Sequence, residues 1–351
     1  MKYGQKNRGS GNSVPLFNPK PLKNMSKIIG KNNRHNFFYF FNQKSNCLMK
    51  NKALSFLLLW SLLLLACKRN QAQEIPAARN NQSLLWHVSG NGLERPVYLY
   101  GTMHILCRED AVLSPQLQTV IGRVDQVYFE INLDDLGQLF GALSSSMMKG
   151  DTTLQDLLTK EEYAKVQSYF EKNGQGAQFT MFRKMQPLFT ASLIEVNSLP
   201  CATGSGTEEL ILKQARAGKK KIGGLETAEY QLSLFNDIPY RLQAKQLVQA
   251  VDSAGSGRAE MQEMIRLYKS QDLEKLYGFT QQGSLADSTL QEKLLTNRNR
   301  NWLQQFHEIT RGKSVLVAVG AGHLGGRNGL LNLLKAKGYR LVPLQNNFGR
   351  L

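Results

Sequence analysis

The stretch VLVAVGAGHLGG, residues 315–326, runs as an unbroken apolar strand and then breaks into four glycines around one histidine, His323. A short apolar run bounded by turn residues reads as a strand buried on both faces, the kind found inside a helix-covered sheet. Far upstream, VYLYGTMH (97–104) repeats the pattern: an apolar strand, Gly101, two residues, His104. Two strands ending in Gly-x-x-His, near opposite ends of the folding part of the chain, raise the expectation of two halves of one site.

Working outward, SLLWHVSGNGLERPVYLYG reads as two strands around a Gly-Asn-Gly turn, and a short helix follows near 113–122. VDQVYFEIN is a third strand with Glu130 near its end. From about 134 to 310 apolar residues recur at spacings of three and four, the period of helices, with KKIGGL (220–225) as the one strand expected there. At the end SVLVAVG, NGLLNLLKAKG and YRLVPL form a strand–helix–strand unit, with Gly338 as a helix stop. The expected fold is α/β: a central mixed sheet built from both ends of the mature chain, flanked by helices, with a large helical insertion.

The first sixty or so residues read as targeting sequence. ALSFLLLWSLLLLA (53–66) is an apolar run of 14 residues, short of the roughly 20 that a spanning helix needs and suited to a secretory signal. Lys50 and Lys52 behind Met49 supply its basic start. Residues 1–48 are therefore expected to be a dispensable extension and 49–66 a signal peptide, the alternative being a longer genuine leader or a signal anchor. Leu64-Leu65-Ala66-Cys67 resembles a bacterial lipobox, which makes Cys67 a lipid anchor in a membrane, residues 67–80 a polar tether, and 81–348 a single domain. Lys68 and Arg69 after the cysteine, rather than acids, favour the periplasmic side.

That division changes the charge argument. Residues 1–66 hold eleven Lys or Arg and no acid, so the formal +17 falls to +6 in the mature chain. Lys219-Lys220-Lys221 reads as a solvated turn before a strand, and nucleic acid is not an expected partner. With Cys47 removed and Cys67 lipidated, Cys107 and Cys201 remain, and an exported protein would join them; the alternative is two buried free thiols.

In open sheets ligands bind beyond the carboxyl ends of the strands, where Gly101, His104, Glu130, Gly320 and His323 all fall. Glycine there permits positive φ and close backbone approach, letting the histidine three residues on fold back over the edge. Two imidazoles and a carboxylate suit a divalent transition metal with open positions for water and substrate. A strand-end histidine is also a common structural residue, and Glu130 could instead serve a helix N-terminus or a lysine. Gly320-x-Gly322-x-x-Gly325 matches a dinucleotide loop, but no Asp or Glu occurs from Ser314 to Leu351 to hold a ribose.

YLYGTMH, VYFEIN, GLETAEYQ, RNRNW and VAVGAGHLGGRNGLLNLLKAKGY, in that order over about residues 82–345, resemble the TraB/GumN/Tiki family. The resemblance implies a compact α/β core related to erythromycin esterases (EreA-like) and the haem-binding lipoprotein ChaN. In the animal Tiki branch it implies a manganese- or cobalt-dependent peptidase, and the expected cofactor here is a divalent ion, manganese, cobalt or zinc. Carried onto this chain, the resemblance makes His104, Glu130 and His323 metal ligands, with Gly101, Gly320 and Gly322 shaping their loops. Glu130, Glu226 and Arg298 become catalytic candidates, Arg298 by gripping a substrate terminus or Glu226 through two parallel bonds. Gln231, Glu208 and Arg183 are supporting candidates; Glu208 stands in Gly-Thr-Glu where relatives often have Gly-x-Asp. Glu226 alone also reads as an acid at a helix N-terminus. The expected function is a membrane-anchored metal-dependent hydrolase of peptides or another small envelope substrate, with Glu130 or Glu226 as base. The competing class is a non-catalytic envelope lipoprotein that binds a peptide, haem or metal, marked by Glu130 and Glu226 turned away into salt bridges. A third is a metal-free hydrolase whose activity survives chelators.

Overall fold

The central sheet of the computed structural model, which describes residues 74–78, 82–201, 203–282 and 288–348, is assembled from both ends of the chain. β1 (Leu85–Ser89) and β2 (Val97–Thr102) form an antiparallel hairpin. β3 (Leu106–Cys107) follows, then β4 (Gln126–Ile131), β5 (Gly204–Ser205), β6 (Lys221–Glu226), β7 (Val315–Gly320) and β8 (Arg340–Pro343). Six of them make one sheet in the order β6-β4-β7-β2-β1-β8, in which β6, β4, β7 and β2 are parallel and β1 is antiparallel to both neighbours.

β7 sits third in this order and is buried along its whole length. Its apolar run has helix-covered faces on both sides, the setting that an unalternating strand requires. Residues Val315, Leu316, Val317 and Val319 are all at or near zero exposure, and each such side chain removed from water contributes about 1.5–3 kcal/mol. The helices around this sheet and the insertion have separate apolar cores. The insertion packs Leu154, Val166, Phe170, Phe179 and Phe182 against Leu247 of the long helix Tyr240–Ser270.

Several expectations need correction in detail. The chain already pairs with the sheet at the end of the presumed tether: Ala77 bridges Leu344, and Gln345 N–H donates to Pro76 O at 2.7 Å. The leader and Cys67 lie outside the described residues. The Lys219-Lys220-Lys221 turn before β6 is exposed at Lys219 and Lys221, while Lys220 is half-buried and its Nζ donates to the carbonyls of Gly122 and Val124 at 2.7 and 2.8 Å, at the C-terminus of the helix Pro115–Arg123. The helical region also holds a second strand, β5, which pairs with β3 in a two-stranded ladder. Two residues per strand are too few to leave a periodic signal. Among the described residues no helix is long and apolar enough to cross a membrane.

The β3–β5 ladder places Cys107 opposite Gly204, and the Cys107–Cys201 disulfide closes beside it. Its sequence separation of 94 residues corresponds to up to about 4.7 kcal/mol in the chain-entropy view of crosslinks. A Cys107→Ser/Cys201→Ser variant is expected to melt several degrees lower than wild type. Coincident melts, with both thiols free in a non-reducing peptide map of the wild type, would contradict the crosslink.

Candidate metal and acid–base site

Four parallel strands end at one edge of the sheet and deliver the candidate residues there. Glu226 is the last residue of β6 and pairs with Ile131, which directly follows Glu130. Gly320 ends β7 opposite Thr102, and His104 and His323 lie just beyond their strands. The two Gly-x-x-His segments are thus neighbours in space.

Their glycines are required for room rather than for positive φ, which neither Gly101 nor Gly320 adopts. A Cβ on Gly101 would lie 3.0–3.2 Å from Leu324 and Ala321, in the single 3-10 turn Ala321–His323 that carries His323. A Cβ on Gly320 would come within 3.2 Å of Glu130 Oε1, 3.4 Å of His104 Nε2 and 3.7 Å of His323 Cδ2. The three candidate ligands therefore converge over the α-carbon of Gly320. Gly322 has open space at its Cβ and no positive φ, so neither property explains a glycine there.

The tautomer of His323 follows from its neighbours. Asn299 Nδ2 donates to the carbonyls of His323 and Asn328 at 3.2 and 2.9 Å, which orients the amide with Oδ1 as acceptor. That oxygen lies 2.7 Å from His323 Nδ1, so Nδ1 carries the hydrogen and Nε2 presents a lone pair. Arg298 Nη1 donates to it at 3.1 Å. Burial, at 4% exposure, is the main force holding the His323 pKa down to about 3, with Arg298 acting the same way. A proton on Nε2 would set two donors face to face.

Arg298 stands at the centre. Its Nη2 donates to Glu130 Oε2 at 2.5 Å and Glu226 Oε1 at 2.7 Å, its Nε to the same Glu226 oxygen at 3.0 Å, and its Nη1 also to Leu294 O at 2.9 Å. The guanidinium lies 4.8 Å from the ring centre of Trp302, whose Nε1 donates to Glu226 Oε2 at 2.9 Å. The grip on Glu226 converges on one oxygen, so it is not the pair of parallel bonds that the sequence implied. Leu294 belongs to a five-residue π-helix, Glu292–Thr296, that runs into the helix Asn297–Thr310. Such turns are frequent at functional sites.

Glu130, 7% exposed, accepts from Gly320 N–H at 2.8 Å and Gln231 Nε2 at 3.0 Å as well as from Arg298. Burial pushes its pKa up, but the charges of His323, Arg298 and His104 and the Gly320 amide outweigh it, and the carboxyl stays well below the usual range. With His323 neutral, Arg298, His104 and the amide carry this effect. Glu226 shifts the other way, raised chiefly by burial, and its hydrogen bonds go to side chains rather than to a helix N-terminus.

On the other side, His104 Nδ1 lies 2.5 Å from Glu208 Oε1, which also accepts from Thr102 Oγ1 at 2.6 Å. The ring is 66% exposed at the cleft mouth, yet surrounding protein partly desolvates it. That desolvation opposes charge and is overcome by Glu208 and Glu130, raising the pKa to about 9. The crosslinked ladder holds this pair: Met103 N–H donates to Thr207 Oγ1 at 3.0 Å, and a Cβ on Gly206 would lie 2.5 Å from His104 O. A cleft of about 380 Å³ opens over His104, Glu130, Glu208 and Gln231, with an apolar wall of Phe129, Ile131 and Leu133. A larger surface groove of about 530 Å³, beside Asn91, His307 and Lys337, contains none of the site residues.

The structure brings His104, Glu130, Glu208, Glu226, Gln231, Arg298 and His323 together. Arg183 caps the helix Gly176–Phe182 in the insertion, where its N–H donates to Phe179 O and its carbonyl accepts from Leu154 N–H. Asn299, Trp302 and Thr102 were not among the expected site residues. For Trp302 the sequence signal was the 298/302 spacing in RNRNW, one helical turn.

Both imidazoles have Nδ1 held by an outer partner, the arrangement typical of ligating histidines; Nε2 of His104 lies toward Gly320, while Nε2 of His323 lies 3.7 Å from Glu130 Oε1 and accepts from Arg298. Their chemistry fits a divalent ion; their spacing is open. Among the described residues the one group of three His, Cys, Asp or Glu ligand atoms within 4.8 Å is Cys107, Glu109 and Cys201. There the sulfurs are bonded to each other and offer no thiolate.

An α/β domain with a buried ionic site at the carboxyl edge of its parallel strands, entered by two Gly-x-x-His turns, is the class of protein that fold and site define. The chain belongs to the TraB/PrgY/gumN family, whose sequence model matches residues 84–343. It is similar to Metalloprotease TIKI1 of Xenopus tropicalis, 24% identical over 335 residues that cover 79% of this chain and 63% of that protein. Metalloprotease TIKI1 of Danio rerio is 24% identical over 341 residues, covering 80% and 68%. Metalloprotease TIKI2 of Xenopus tropicalis is 24% identical over 318 residues, covering 74% and 59%. The chain thus spans about 63% of the length of the first of these relatives. No solved structure matches.

Replacing Trp302 by Phe strands Glu226 Oε2 without its donor, and is expected to lower stability by about 1–3 kcal/mol in urea unfolding. Gly101→Ala is expected to cost a similar amount, about 1–3 kcal/mol, by overpacking Leu324 and Ala321. Wild-type midpoints for both variants would show that these contacts carry no weight.

Proposed function

We propose that the chain is a metal-dependent peptidase of the cell envelope, held on the periplasmic side of a membrane by a lipid on Cys67. The observation that carries this reading is the pair of histidines whose Nδ1 atoms are fixed by Glu208 and Asn299, so that both Nε2 atoms face Glu130 over Gly320. His104, His323 and Glu130 would hold a manganese, cobalt or zinc ion. Such an ion, when bound, supplies Lewis acidity and a water of lowered pKa.

The remaining residues position these groups and the substrate. Glu208 and Asn299 orient the two rings, and Gln231 and the Gly320 amide orient Glu130. The apolar wall of Phe129, Ile131 and Leu133 receives a peptide side chain, while Glu130 and Glu208 face the same cleft. Of the two carboxylates considered as base, Glu130 lines the cleft and Glu226 does not. Glu226 instead anchors Arg298, which is therefore engaged internally rather than offered to a substrate terminus.

One observation favours the second reading, a binding lipoprotein without turnover: both Glu130 and Glu226 are in salt bridges with Arg298. A peptide-library digest of the loaded full-length protein, with and without chelator, separates the readings. Chelator-sensitive cleavage that falls at least a hundredfold in Glu130→Gln and His104→Ala supports the peptidase. Bound metal without cleavage supports the binding protein, and cleavage that survives chelation refutes a metal-dependent mechanism.

A further inference from the structure

The donor set fits an ion in chemistry but is open in spacing, and the group standing within it is a cation. Arg298 Nη1 takes the Nε2 lone pair of His323 at 3.1 Å, and Nη2 takes Glu130 Oε2 at 2.5 Å. These are the atoms that two of the three candidate ligands would give to a metal. Both contacts are buried, so water does not screen the competition.

We propose that Arg298 is an internal gate cation: it competes with a divalent ion for the His323–Glu130 half of the site, and the ion binds by breaking those two contacts and leaving the guanidinium on Glu226. This rests on the reading of His104, Glu130 and His323 as the ion site. The contacts divide into two sets. Those to Glu226 Oε1, to Leu294 O and to the Trp302 face do not involve a candidate ligand, and they stay available to the guanidinium with an ion bound. The other two are exclusive with an ion at Nε2 and Oε2. Glu226, buried beside Arg298 and outside the cleft lining, then has a role that neither catalysis nor ligation gives it: it keeps hold of the cation when the ion enters. A guanidinium cannot lose its proton to make room, so it must move.

The opposite role is a support that shapes Glu130 for the metal, and the two roles predict opposite signs. Cobalt(II) affinity of the full chain is measured by equilibrium dialysis and by its visible absorption, for wild type, Arg298→Gln and Arg298→Gln/Glu226→Gln. The double variant removes one charge of each sign and so keeps the buried balance. Both variants are expected to bind cobalt at least tenfold more tightly than wild type. Equal or weaker binding, with wild type still binding, overturns the gate and leaves the ion-site reading standing. Failure of all three to bind overturns both.

A measurement on wild type removes dependence on how the variants fold. The Arg298 Nε–H signal in a ¹⁵N-labelled sample, assigned by its loss in Arg298→Gln, is expected to shift on zinc binding. An unchanged signal at saturating zinc means that the guanidinium does not move, and the gate falls.

Discussion

The buried guanidinium of Arg298 is the constraint on which the site depends. It reaches Glu130 on β4, Glu226 on β6, the imidazole after β7 and the π-helical turn at Leu294, tying three adjacent parallel strands to one helix through a single group. Two carboxylates at such low exposure would repel each other and resist ionisation without an opposite charge between them. Their buried positions and the buried arginine therefore imply one another. Asn299, the next residue on the same helix, fixes the tautomer that lets His323 accept from Arg298.

The two histidines are held by different means, which fits their different exposure. His323 is locked in the protein interior by an amide and an aromatic ring, with Trp302 at 4.5 Å between centroids. His104 sits at the mouth of the cleft, fixed by one carboxylate and a two-stranded ladder beside a disulfide. The rigid half belongs to the sheet core, and the accessible half to a crosslinked loop. His104 lines the cleft at its exposed mouth, and the buried Glu130 and half-buried Glu208 line it as well.

Much of this was legible in the sequence because it depends on local pattern. Buried strands announce themselves as apolar runs, and the paired Gly-x-x-His and the strand-end Glu130 follow from where such runs stop. What was not legible comes from packing across the chain. Asn299 and Trp302 enter through a helix whose partner residues are far away in sequence, and the ladder Leu106–Cys107 with Gly204–Ser205 is shorter than any period. The glycines were found for a partly mistaken reason, since crowding by Ala321, Leu324 and Glu130 decides Gly101 and Gly320, and φ does not. Arg183 carried no local pattern that tied it to a strand end, and the structure leaves it in the insertion.

The most direct test of the central claim is anomalous diffraction from crystals of the protein loaded with zinc. If the two Gly-x-x-His turns form one site, a single strong peak lies about 2.0–2.2 Å from the Nε2 atoms of His104 and His323 and from a carboxylate oxygen of Glu130. A structure at saturating zinc with no peak over Gly320, and with Arg298 still bonded to His323 Nε2, would contradict it.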